Sequence, residues 1–171
     1  MIISSCGVRI PYRPDYPLKN EIFYSRDKTL SGRVPQDWFI SNDDSLAPSL
    51  SVWLLKEDLS ATIVIRELIL DELAVENVRR KGLKILAAVS AAYHDIDIVK
   101  SKIVFNQYKL GTKDLCSFEY GEGNQHSRFV VFTINKRYYE CEARFLKEDW
   151  KLEDIKALHS AQETVLYTLV Y

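Results

Sequence analysis

The chain has 171 residues, of which 47% are hydrophobic and 27% charged, with a formal net charge of −1. That length predicts one domain large enough to bury a proper core. The near-neutral balance supplies no field that would gather phosphate backbones or anionic lipid, so no nucleic-acid partner is expected. No apolar run approaches the ~20 residues of a membrane span.

The first 19 residues differ from the rest. Three of the five prolines fall here, and Pro11, Pro14 and Pro17 recur every three residues with Tyr12 and Tyr16 between them. That period is the period of a polyproline II helix, which predicts a stiff, solvated tether over residues 7–19. A dozen such residues would reach about 35–40 Å. The same spacing also suits a ligand for an aromatic groove.

Ahead of the tether stands Ile3-Ser4-Ser5-Cys6. An aliphatic residue, two small residues and a cysteine resemble a bacterial lipobox, in which the cysteine receives lipid. Only Met1-Ile2 precedes it, whereas a signal peptide needs a basic region and an apolar region of about 7–15 residues. Two readings remain open. In one, the box is the remnant of a lipoprotein signal, Cys6 is the lipid attachment site, and the protein belongs to the cell envelope facing the periplasm. In the other, the match is chance, Ile2, Ile3, Val8 and Ile10 pack an N-terminal arm, and the protein is cytoplasmic.

Residues 20–171 read as a single domain. "EIFYSRDKTLSGRVPQDWFISND" predicts two short strands around Arg26–Lys28, then a loop at Pro35-Gln36-Asp37. Trp38 beside that loop is expected to anchor it by burying its ring. Strands follow near Leu50–Lys56 and Ala61–Leu68. Asp71 to about Tyr93 carries apolar residues at helical spacing with acids in its first turn, which predicts one long helix. Its basic run Arg79, Arg80, Lys81 and Lys84 reads as a solvated face, or as a docking patch. Four strands are expected next, over Lys102–Leu110, Asp114–Tyr120, Arg128–Ile134 and Arg137–Phe145, with Asn135-Lys136 as a tight turn. Leu152–Tyr167 predicts a second helix.

Strand patterning suggests the architecture. "FVVFTI" at 129–134 and "IVI" at 63–65 are apolar without alternation, so both their faces need cover. Arg137–Phe145 alternates, with Tyr138, Glu140, Glu142 and Arg144 on one side. Hairpin connections make the sheet mostly antiparallel. The expectation is α+β: a three-layer α/β/α sandwich with a long helix on each face.

The series "EIFYS", a hairpin, "VPQDW", a strand pair, a long helix, three or four antiparallel strands introduced by "NKRYYE", and a closing helix resembles the PsbP-like family over residues 20–170. That family contains an extrinsic photosystem subunit, bacterial envelope lipoproteins and a fold relative that binds the small GTPase of nuclear import. The resemblance implies an α/β/α sandwich and a non-catalytic role as partner or assembly factor. It carries over no binding residue.

The chemistry-bearing residues do not assemble into a motif. Cys116 and Cys141 fall at strand positions, where a free cysteine is a small core residue, although either could serve as a nucleophile with His94, His126 or His159 as base. Placed opposite Val131 and Val130, on opposite faces, they cannot form a disulfide. His94-Asp95-Ile96-Asp97 offers a few ligand atoms, but no CxxC, HExxH or EF-hand spacing occurs, so neither a metal nor a cofactor is expected. Gly121-Glu122-Gly123 reads as a hairpin turn. Glu140 and Glu142 share a strand face expected to meet solvent or a helix edge.

The sequence therefore reads as a non-enzymatic binding or assembly module of the bacterial cell envelope, attached to a membrane through lipid on Cys6, with a protein partner. Tyr12, Tyr16 and Tyr138 are the candidate partner-binding residues. The alternative is an enzyme or small-molecule carrier with its site between sheet and helix.

Overall fold

The computed structural model describes residues 13–41, 49–121 and 125–171. Strands β1 (Leu18–Tyr24) and β2 (Ser31–Pro35) form an antiparallel hairpin of their own. The other strands are β3 (Trp38–Ile40), β4 (Val52–Lys56), β5 (Ala61–Glu67), β6 (Asn106–Leu110), β7 (Lys113–Tyr120), β8 (Ser127–Ile134) and β9 (Arg137–Phe145). They build one antiparallel sheet in the order β3-β4-β5-β9-β8-β7-β6. The helices are α1 (Glu72–Lys81), α2 (Leu83–Tyr93) and α3 (Leu152–Thr168).

The α+β sandwich expected from the strand patterns is present. On the first face, Phe23, Leu30 and Val34 of the hairpin and Leu158, Val165 and Leu166 of α3 pack on Ile63, Ile65, Val130 and Phe132. On the second face, Leu86, Ala87 and Ala91 of α2 pack on Cys116, Phe118, Phe129 and Val131. β8 thus sends apolar side chains in both directions, as a strand without alternation must when each face is covered. The expected register also holds, with Cys116 opposite Val131 and Cys141 opposite Val130. Both thiols are free and buried. Asn135 and Lys136 sit at φ 49° and 65°, the left-handed pair that a two-residue hairpin turn requires.

Three departures from expectation have local causes. The long helix is two helices, because Gly82 stands at φ 81°, ψ −169°, a region closed to residues with a Cβ. Its N–H still bonds to Val78 O, closing α1, and its carbonyl accepts from Ile85 N as α2 begins. Trp38–Ile40, just past the expected loop and not expected as a strand, pairs with β4 and forms one edge of the sheet. The described part of the expected tether is docked. Pro14 is buried, Ser160 Oγ donates to Asp15 at 3.2 Å, and the Trp38 indole N–H donates to the Tyr16 hydroxyl at 3.4 Å. A buried indole needs an acceptor, and here the chain ahead of β1 supplies it. Trp38 itself is buried, as expected of a loop anchor.

Candidate functional site

Among the described residues α2 covers β7 and β8 on the second face, and the neighbouring part of that face, over β4, β5 and β9, holds a polar cluster. Strand alternation sends Glu140 and Glu142 to this side. Of the two settings expected for them, solvent fails, since they are 0% and 5% exposed, and a helix edge holds for Glu140, which meets the end of α2. Their partners come from two other elements. Arg66, directly across from Glu140 on β5, donates from Nη2 to Glu142 Oε2 at 2.8 Å and sets Nε 3.3 Å from Glu140 Oε1. His94, which caps α2, brings Nε2 to 2.9 Å from the same Glu140 oxygen, and Ser90 Oγ donates to the other. The His94 ring leans on Phe129 with centroids 4.7 Å apart.

Isolated buried carboxylates cost several kcal/mol each, so the partners are a condition of folding rather than an ornament. The cluster also locks the end of α2 to the sheet.

Beside it lies an open cleft of about 380 Å³. Thr62, Val64, Arg66 and Glu142 form its floor, while Trp53, Leu55 and Leu146 form its walls. Trp53 is held by its indole N–H donating to Thr62 Oγ1 at 3.0 Å, and that hydroxyl donates to Leu54 O at 2.9 Å. Arg144 stands exposed at the rim, with Nε 3.8 Å from Glu142 Oε1.

The cysteines are chemically quiet. Burial pushes the Cys116 thiol up, and burial takes Cys141 up to about 12 despite a contact from Gln162. Neither is a thiolate at neutral pH. On the first face Arg128 is buried against Glu163 at 2.7 Å, Tyr108 hydroxyl at 3.1 Å and Gln162 at 3.2 Å. Desolvation in this setting raises the Tyr108 phenol.

Among the described residues, two groups of side chains bring ligand atoms close enough to share a metal: His94 with Glu140 and Glu142, and Glu119 with His126 and His159. In the first, Arg66 already supplies the positive charge between the carboxylates. The second joins the end of β7, the residue just ahead of β8, and α3. Burial lowers His126, and burial with the Arg128 charge takes His159 down to about 3.

Of the tyrosines singled out from the sequence as exposed, the two described ones are half-buried on opposite faces of the sheet, Tyr16 on the first-face core and Tyr138 against the second-face core. Tyr12 and Cys6 lie outside the described residues. Sequence reasoning noted Glu140 and Glu142 but missed Arg66. An arginine ending the apolar run of β5, facing two glutamates in alternation, was the available signal.

No family model matches the sequence, and no curated protein matches it. Solved structures do. Cyanobacterial PsbP (CyanoP) from Synechocystis sp. PCC 6803 aligns over 99% of both chains at 14% identity with a TM-score of 0.55. This chain has the PsbP-like fold. A Bacteroides thetaiotaomicron structure aligns at 15% identity and TM-score 0.52, over 91% of this chain and 48% of its own length, so this chain spans about half of that protein. LpqN of Mycobacterium tuberculosis, involved in cell envelope biogenesis, aligns at 13% identity and TM-score 0.45 over 83% of this chain and 82% of its own.

Proposed function

We propose that the protein is a non-enzymatic binding module of the bacterial cell envelope, anchored through lipid on Cys6, and that it holds a protein segment in the cleft over β4, β5 and β9. The observation that carries the reading is how the buried charges are used. Glu140 and Glu142 are both committed to Arg66, His94 and Ser90. Carboxylates engaged in this way balance buried charge, which favours a structural use over a nucleophilic one. What the cleft presents outward is shape, with Trp53, Leu55 and Leu146 as apolar walls and Arg144 at the rim. That combination suits a segment bearing apolar side chains and an acid. The PsbP-like fold supports a role as partner rather than catalyst, and the Ile3–Cys6 box supports attachment to a membrane.

Two measurements test the two parts. When the gene is expressed with its native upstream region, mass spectrometry of the envelope fraction is expected to find lipid on Cys6, and an unmodified cytosolic protein overturns the anchor. A photo-crosslinking residue at Leu146 is expected to give a discrete protein adduct that Arg144→Glu abolishes. The same residue at Lys156, exposed on α3, is expected to give none. Identical adducts at both positions overturn the cleft as the binding surface.

A further inference from the structure

We propose that Glu119, His126 and His159 form a binding site for a single divalent transition-metal ion of the zinc class, separate from the cleft. His126 Nε2 lies 3.4 Å from His159 Nε2, and Glu119 Oε2 lies 3.7 Å from His126 Nε2. All three ligand atoms are within 4.8 Å of one another. Two ligands on a tetrahedral zinc at ordinary bond lengths stand about 3.3–3.5 Å apart. The spacing of the two imidazole nitrogens is therefore the spacing a shared ion needs. Their rings lie 26° from parallel with centroids 5.6 Å apart, so the nitrogens converge while the rings spread.

The donor types suit this assignment. Two imidazoles and one carboxylate are the borderline-soft set that zinc, cobalt and nickel accept, whereas calcium and magnesium require oxygens. The setting suits it as well. Both histidines are half-buried and come from separate parts of the fold, His126 just ahead of β8 and His159 on α3, so an ion here would tie the helix to the sheet. Trp150 packs on His126 with centroids 5.7 Å apart and shields one side. The Glu119 side chain is exposed, which leaves a fourth position open to solvent. The nearby guanidinium of Arg128 does not stand unopposed, being held by Glu163 at 2.7 Å. The three residues escape motif searches because 33 residues separate the histidines.

Zinc alone, titrated calorimetrically into chelator-treated full chain carrying Cys6→Ser, tests the site. One equivalent is expected to bind in the micromolar range or tighter. His126→Gln or His159→Gln should weaken binding about 100-fold or more, and Glu119→Gln, on an exposed side chain that folding does not need, about 10-fold. Glu153→Gln, exposed at the start of α3 and outside the ligand group, should leave it unchanged. Cobalt in place of zinc should give the visible absorption of a tetrahedral site without a thiolate charge-transfer band. In case a histidine variant fails to fold, imidazole nitrogen resonances of the wild-type fold provide a second readout, with His126 and His159 expected to shift together as zinc is added. The proposal is overturned by the absence of saturable binding below about 100 μM, by equal binding in the Glu119 variant and wild type, or by loss of binding on Glu153→Gln.

Discussion

The two faces of the sheet hold their helices by different means. On the first face α3 and the β1–β2 hairpin meet an apolar surface, and stability is spread over many packed side chains such as Phe23, Phe132, Leu158 and Val165. On the second face α2 rests on a smaller apolar cluster and is pinned at its end by His94 and Ser90 on Glu140. A distributed contact loses a part when one member is cut. A buried charge network loses its balance, because the remaining groups keep their desolvation cost without their partner. That difference also places the cleft on the second face, where the polar cluster gives the sheet an alternative to full apolar cover.

The sharpest break in the comparison is Glu140→Ala, which strands Arg66, His94 and Ser90. It is expected to cost about 3–5 kcal/mol in urea unfolding, with Glu140→Gln costing clearly less because the amide still accepts hydrogen bonds. A Glu140→Ala variant as stable as wild type would show that water replaces the carboxylate and that α2 is not pinned there. On the first face Leu158→Ala should cost about 2–5 kcal/mol, whereas Leu55→Ala on the cleft wall should cost less than about 1.5 kcal/mol. Equal losses at those two sites would contradict the reading of the cleft as open.

Gly82→Ala tests the helix break. Alanine at that backbone conformation should cost about 1–3 kcal/mol, although a Cβ there would touch nothing within 4 Å. Since space is open, any loss reports backbone strain alone, and an unchanged urea midpoint would mean that the two helices can merge into one.

The smallest expected effect is a chemical silence. With Cys141 up near 12, the thiolate fraction at pH 8 is about one part in ten thousand. Because the folded thiol is held protonated, raising the pH toward 9 should speed labelling of Cys141 only in proportion to that minute thiolate fraction. Thiol labelling of the native chain at pH 8 should spare Cys116 and Cys141, and urea should release both. Prompt native labelling of Cys141 would mean that α3 opens readily from the first face.

Much of the frame was legible in the chain order. The nearly all-apolar run Phe129–Ile134 demanded cover on both sides, and side-chain period alone set Tyr138, Glu140, Glu142 and Arg144 together on one face. Hairpin spacing was enough to put Cys116 opposite Val131. These are short-range properties, in which a residue's direction depends on its neighbours along one strand or across one turn. Gly82 was visible as a letter, but whether it interrupts a helix depends on what each half packs against.

The candidate sites were legible only in part, because each joins residues far apart in sequence. Nothing along the strand says that Glu142 will meet Arg66, 76 residues earlier, or that His126 will face His159. Chain order by itself determined most of the strands, though not β3, together with the sheet's two-sided burial and the identity of the polar residues. The tertiary structure alone decided which of those polar residues lost water together, since only the docking of α2, α3 and β5 around β8 and β9 brings their charges and lone pairs within bonding distance.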